Sequence, residues 1–188
     1  MATINLNPAM RPYPSQYVSQ WTMKDGTQIT IRPIRPEDEP LMVKFHGTLS
    51  DRTVYLRYFS SLSLARRTHH DRLVRICFAD YEREMVLVAE YADPQTAELN
   101  ILGVGRLNKL KADQDAEVAV VVSDQYQHRG LGTELVGRLI HIAREQRLGR
   151  IEAEMLRDNL AMQTTFRKLG FRLRLLDDCS SVQAVLDL

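Results

Sequence analysis

Apolar positions recur in two rhythms along this chain, and the change between them is sharpest over Ala116–Ala143. Ala116–Val122 is an almost unbroken apolar run rich in valine, which predicts a strand buried on both faces. A polar turn comes next, over Ser123–Arg129. From Gly130 onward Leu131, Leu135, Leu139 and Ile142 fall on one face of a helix. A helix that opens Gly-Leu-Gly leaves its first N–H groups unobstructed by Cβ atoms. With the positive end of the helix dipole, those donors make a seat for a phosphate, and Arg129 adds a cation at the same place.

The rest of the chain keeps to the same two periods. Met1–Gln20 has few periodic apolar positions and carries Pro8, Pro12 and Pro14. It reads as an extended arm or linker ahead of one domain over 21–188, with Tyr17 and Trp21 able to dock it. Thr22–Gly26 reads as a hairpin turning at Lys24-Asp25-Gly26, and Gln28–Pro33 as a strand. Pro36-Glu37-Asp38 opens a helix that runs to about Gly47, and Ser50 caps another carrying Tyr55, Leu56 and Phe59. His69–Phe78 is a further helix. Met85–Tyr91 and Ile101–Leu107 read as strands joined by Ala92–Asn100, with Gly103 and Gly105 marking a bulge or a close backbone approach. Arg150–Met155 is a strand, Asn159–Leu169 a helix stopped by Gly170, Phe171–Leu176 a strand, and Val182–Leu186 a last edge strand. The order is that of a mixed α/β sheet with helices on its faces.

Composition narrows the setting. A chain of 188 residues with 44% hydrophobic content suits one domain with a proper core. A net charge of +1 gives no support for a nucleic-acid binder held by a strongly positive field. Cys77 and Cys179 lack metal-ligand spacing and read as buried or free thiols of a reducing compartment, so no metal is expected. With no signal-like or bilayer-length apolar run, the expectation is a soluble cytoplasmic protein with no membrane partner. A dinucleotide-binding reading fails because Asn108 stands where the third glycine after Gly103 and Gly105 belongs.

Gln127-His128-Arg129-Gly130-Leu131-Gly132 resembles the [Q/R]-x-x-G-x-[G/A] signature of GNAT-superfamily N-acetyltransferases, in the strand–loop–helix setting which that family uses. Asn159, followed by Phe166-Arg167-Lys168-Leu169-Gly170-Phe171, resembles the family's later motif. Ile31–Pro40 and Tyr55–Phe59 are similar to the C-terminal acetyltransferase domain of bacterial Pat-type protein lysine acetyltransferases. The resemblance implies a mostly antiparallel sheet splayed at its centre. It implies acetyl-CoA as co-substrate and a protein lysine as acceptor, on acyl-CoA synthetases of the AMP-forming kind. In many of these enzymes an acyl-CoA-synthetase-like regulatory domain precedes this one. The expectation is therefore an excised domain, or a short relative in which that domain is missing.

Under this reading the backbone of Gln127, His128, Arg129, Gly130, Leu131, Gly132 and Thr133 holds the pyrophosphate, and Val120, Val121 and Val122 pair with the pantetheine amides. Asn159 approaches pantetheine from the other side, as the resemblance implies. An attacking lysine must first lose a proton, since its free pKa is about 10.4. Glu117, the one acid in an apolar strand, is the candidate base, with partial burial expected to raise its pKa. Equally, it can be a solvated strand-end carboxylate. Where the family offers a tyrosine to protonate the departing thiolate, this chain has Phe166, expected at the cofactor as the resemblance implies but leaving that role without a side chain. Arg57 and Arg66-Arg67 are candidates for docking the acceptor. His128, His69 and His70 read as exposed, and His141 as a surface partner of Glu145. A small-amine or N-terminal acetyltransferase, or a non-catalytic acyl-CoA sensor, are the alternative readings.

Overall fold

A computed structural model describes residues 12–110, 114–177 and 179–188. Its eight strands are β1 (Ser19–Thr22), β2 (Gln28–Pro33), β3 (Glu84–Ala92), β4 (Leu99–Lys109), β5 (Asp115–Val122), β6 (Arg150–Leu156), β7 (Arg172–Leu175) and β8 (Ser181–Asp187). They form one sheet in the order β1-β2-β3-β4-β5-β6-β8-β7. Only β5 and β6 run parallel. The six α-helices are α1 (Glu39–Gly47), α2 (Asp51–Tyr58), α3 (Leu64–Arg67), α4 (His70–Cys77), α5 (Leu131–Glu145) and α6 (Leu160–Lys168). One core, built on α5 and α6, fills one face of the sheet; a second, holding residues of α1, α2 and α4, fills the other. This is the mixed, mostly antiparallel sheet expected. Among the described residues no helix is long and apolar enough to cross a membrane.

Three expectations are corrected. The last strand is interior, because β8 pairs with β6 over seven positions and with β7 over four, and its Val182 and Ala184 are buried. The outer strand on that side is β7, whose Arg172 and Arg174 point to solvent. The central strand β5 is not buried on both faces: Ala116 and Val118 are, whereas Glu117 is exposed and Val120–Val122 are half-buried. The half-burial of Val120–Val122 goes with the short partnership that β5 makes with β6. Only Asp115–Glu117 pair with Arg150–Glu152, after which β6 leaves, so five residues of β5 lack a strand neighbour on that side. Finally, the expected arm does not extend to Gln20. Its first eleven residues lie outside the described residues, but from Tyr13 onward the chain is part of the fold. Tyr13 donates its hydroxyl hydrogen to Pro33 O (2.8 Å), and Ser19 already pairs with Ile31.

The paired glycines do what close approach requires. A Cβ at Gly103 would lie 3.2 Å from methyl groups of Leu131 and Leu135, and one at Gly105 would lie 3.0 Å from Leu139. Helix α5 therefore sits directly on the β4 backbone. Beside Gly103 the register slips: Ala89 pairs with Gly103 and Glu90 with Ile101, leaving Leu102 as the extra residue of a bulge.

On the other face, α1 is fixed by a buried charge network. Arg32 donates to both Asp38 oxygens at 2.7 Å and to Glu90 Oε2 at 2.6 Å. Asp38 also accepts from the Arg35 N–H at 2.7 Å, which ties the start of the helix to β2 and β3.

Candidate active site

The end of β5 runs into a turn that is strapped on two sides. Gln127 donates its side-chain amide to Val122 O (3.0 Å) and to Thr53 Oγ1 (3.1 Å). Asp124 accepts from Ser50 N (2.9 Å), Ser50 Oγ (2.6 Å) and Thr53 Oγ1 (2.9 Å). Burial works to raise the Asp124 carboxyl, but these hydrogen bonds prevail and hold it below the usual carboxylate range. Ser50 is also the N-cap of α2, accepting from Thr53 N, as its position before Asp51 predicts.

Beyond the strap the backbone turns left-handed at His128 (φ 61°) and at Gly130 (φ 91°), the N-cap of α5. Gly130 suits that conformation because it has no Cβ. The N–H groups of Leu131, Gly132 and Thr133 have no partner inside the helix, since they form its first turn. The Leu131 side chain is buried beneath β4, so only its backbone faces this end. At Gly132 a Cβ would meet nothing closer than Val122 Cγ2 at 3.8 Å, leaving room for an anion to reach the donors. These features fit a pyrophosphate.

The cation at this seat differs from expectation. Arg129 is engaged: its Nη1 lies 2.5 Å from Asp25 Oδ2, and its guanidinium stacks over Tyr126 at 5.1 Å. The nearest side-chain atoms to a Cβ placed at Gly130 are Lys24 Cε (3.7 Å) and Trp21 Cη2 (3.8 Å), both from the β1–β2 hairpin. Lys24 is exposed and unassigned by sequence reasoning, which read Lys24-Asp25-Gly26 only as a turn.

Val120, Val121 and Val122 lie on the stretch of β5 that β6 does not cover, so no strand pairs with them on that side, although Gln127 already occupies Val122 O. Asn159, 9% exposed, caps α6 by accepting from Met162 N at 3.3 Å, so its carbonyl oxygen is occupied. Phe166 is a correction. It is 2% exposed and packs edge-on against Phe171 at 4.7 Å, because it takes the core-facing position of α6. Its ring belongs to the core and not to a ligand slot.

Glu117 is exposed, so the protein alone does not supply the desolvation expected of it. Its register partners are Asn108 on β4 and Glu152 on β6. With Glu152, Glu154 and Gln183 it lines a cavity of about 200 Å³. Glu152 receives Gln183 Nε2 and Arg150 Nε, each at 3.2 Å. Sequence reasoning missed Glu152 and Glu154, because only the β5–β6 register brings them beside Glu117. The cavity is an acidic slot suited to a cationic amine. Arg57, half-buried on α2 and stacked over Tyr58, is pulled below its ordinary value by burial, while the fields of Tyr58 and Glu117 oppose that shift.

The remaining candidates separate cleanly. Arg67 is 4% exposed and donates to His46 O (2.7 Å) and Leu62 O (3.0 Å), so it holds the helices together and is no docking residue. His128 is exposed as expected, and His141 lies 3.3 Å from Glu145. Cys77 is buried and Cys179 exposed, both free. Among the described residues no cluster of His, Cys, Asp or Glu could hold a metal ion.

Comparison with known proteins agrees with this geometry. The family described as "Acetyltransferase (GNAT) domain" matches residues 28–172. An acetyltransferase of Pseudomonas aeruginosa is 30% identical over 150 residues, 80% of this chain and 78% of that protein. Acetyltransferase Pat of Mycolicibacterium smegmatis is 30% identical over 148 residues, 79% of this chain but only 42% of that protein. The crystal structure of the GNAT domain of S. lividans PAT superposes with a TM-score of 0.83 at 24% identity, covering 94% of this chain and all of that one. With the sheet, the strapped turn and the family match in agreement, this chain belongs to the GNAT acetyltransferases, enzymes that take their acetyl group from acetyl-CoA.

Proposed function

We propose that this enzyme transfers acetyl to the ε-amine of a protein lysine, with acyl-CoA synthetases as the substrate class and Glu117 as the base. The observation that carries the reading is the acidic slot at Glu117, placed where the open stretch of β5 begins. A lysine is cationic on arrival, and three carboxylates at one end of that stretch suit it. The likeness to Pat supports the acceptor class, although the match spans less than half of that relative.

The chain's own groups divide the work. The N–H groups of 131–133, with Lys24 beside them, bind the pyrophosphate. The backbone of Val120–Val122 that β6 leaves uncovered and the amide nitrogen of Asn159 orient the pantetheine arm. Bound acetyl-CoA supplies the thioester, at whose carbonyl carbon a C–N bond to the lysine forms as the C–S bond breaks. Glu117 accepts the proton that the amine gives up, directly or through one water, and solvent protonates the departing thiolate. A protein acceptor that packs over the slot removes water from Glu117, supplying on complex formation the desolvation absent in the free enzyme. The two free thiols suit a reducing cytoplasm.

Incubation with labelled acetyl-CoA and a panel of proteins and small amines tests the reading. Label on lysines of acyl-CoA synthetases is the expected result. Label on small amines only, or binding without transfer, would refute it. Glu117→Gln should keep its acetyl-CoA affinity and lose transfer by ~10²–10⁴-fold. A rate within a few-fold of the parent would remove Glu117 from the mechanism.

A further inference from the structure

If the acceptor is a lysine, as proposed above, it reaches Glu117 from the face carrying α1–α4. There α3, α4 and β4 enclose a second cavity, of about 630 Å³. Arg66, Arg72, Arg75 and Arg106 line it, and Asp71 is the one acid that does. Among the described residues only Arg106 of the four is ion-paired, its Nε 2.8 Å from Glu84 Oε2. Four guanidiniums set against Asp71 and Glu84 leave a surplus of two positive charges, twice the net +1 of the whole chain.

Among the described residues this concentration of charge is not neutralised. Arg72 stacks over Tyr58 at 5.2 Å, yet its Nε is buried with no hydrogen-bond partner. A buried donor left unmade is costly, and an incoming anion can relieve it. Guanidiniums present forked donors that match carboxylates. The cavity also lies beside the acidic slot. Arg106 pairs with Ala119, two residues along β5 from Glu117 and on the same face, a separation of about 7 Å. Positive and negative sites are thus adjacent on the acceptor side.

We propose that this arginine cavity binds an acidic side chain of the acceptor protein that flanks the target lysine. The slot at Glu117 takes the lysine head, and the cavity takes an aspartate or glutamate about two to three residues away in an extended segment. The pair of sites sets both which lysine is chosen and the direction in which the segment lies. A protein acceptor is favoured over a free small anion because the cavity is wide and its arginines come from three elements, so it has room for the stem of an acidic side chain and the segment that carries it.

Three lysine peptides that differ only in having acidic, neutral or basic flanks test this, with the full chain and its Arg66→Glu and Arg75→Glu variants. For the parent, kcat/KM on the acidic peptide should exceed that on the neutral one by ~10-fold or more, with the basic peptide poorest, the size expected of one or two charge-assisted hydrogen bonds. In either variant the ratio of acidic to neutral should fall to about one, while calorimetry returns the parent's acetyl-CoA affinity and thermal melting the parent's fold. The gap should also narrow as salt is raised. Equal kcat/KM on all three peptides would overturn the proposal while leaving lysine acetylation intact. A uniform loss on every peptide would overturn it too, by making the arginines structural. So would competition by inorganic phosphate but not by an acidic peptide lacking lysine. If no peptide or protein is acetylated although acetyl-CoA binds, the lysine reading fails first and this one falls with it.

Discussion

His46 gives the fold a pH dependence whose size can be worked out. The residue is 1% exposed on α1, and neither ring nitrogen has a hydrogen-bond partner. Burial, then the nearby charges of Arg67 on α3 and Arg72 on α4, push its pKa down from an ordinary 6.5 to about 4. Between those values the unfolded chain binds a proton that the native state refuses. Stability is therefore unaffected above pH 6.5, declines as pH falls below it, and goes on declining until about pH 4. Between pH 7 and pH 5 the loss comes to about 2 kcal/mol from this residue alone. The measurement is urea denaturation followed by circular dichroism at both pH values, for the parent and for His46→Leu. Leucine removes the titrating ring while keeping an apolar filler, and the Arg67 bond to the His46 carbonyl is untouched. All other groups titrate alike in the two proteins, so the parent should lose about 2 kcal/mol more than the variant. At pH 7 the variant should be at least as stable as the parent, since two unpaired nitrogens are gone. Parallel losses in the two proteins would refute the reasoning and require a hydrogen-bonded or hydrated imidazole.

Three further outcomes concern binding and stability. Gly132→Val should leave a folded protein whose acetyl-CoA affinity falls by ~10-fold or more in calorimetry, because the new side chain occupies the space before the first-turn N–H groups. Gly130→Val forces a β-branched residue to φ 91° and should in addition cost roughly 1–3 kcal/mol of stability, read as a lower melting temperature. Asp38→Ala leaves Arg32 with Glu90 as its one carboxylate, beside the Pro33 carbonyl, and frees the Arg35 N–H, so chemical denaturation should show a loss of about 3 kcal/mol. A loss below ~1 kcal/mol would mean that water reaches the guanidinium.

What could be read from the residues was local in its cause. The strand, turn and helix over 116–143 announced themselves by a change of period, Ser50 by its cap chemistry, and Gly103 and Gly105 by the close approach of α5 that a missing Cβ allows. What escaped was set by partners distant in sequence. Val182–Leu186 has the pattern of any short half-buried strand, and only tertiary pairing puts it between β6 and β7. The valines of β5 look alike, yet Val118 is buried and Val120–Val122, farther from the last residue that β6 pairs, are half-buried. Glu152 carries no signal of its own until the register sets it beside Glu117. Arg66 and Arg67 are adjacent and chemically identical, but the turn of α3 sends one to the cavity and the other to the carbonyls of His46 and Leu62. Lys24 reaches the α5 terminus only because the β1–β2 hairpin folds over it.

The open stretch of β5 has a consequence for solubility as well as for chemistry. A row of unpaired strand amides is what proteins hide, since another chain can add to it and seed aggregation. At the two outer strands, β1 and β7, that hazard is limited by length, for each has only four residues, and on β7 by Arg172 and Arg174. The uncovered residues of β5 are protected in another way: they lie in the middle of an eight-stranded sheet, with β6 and α6 on the far side of the gap. Under the proposed reading a thin, unbranched arm with two amides pairs there in place of a strand, so the site that chemistry needs open is the one the sheet keeps away from its edges.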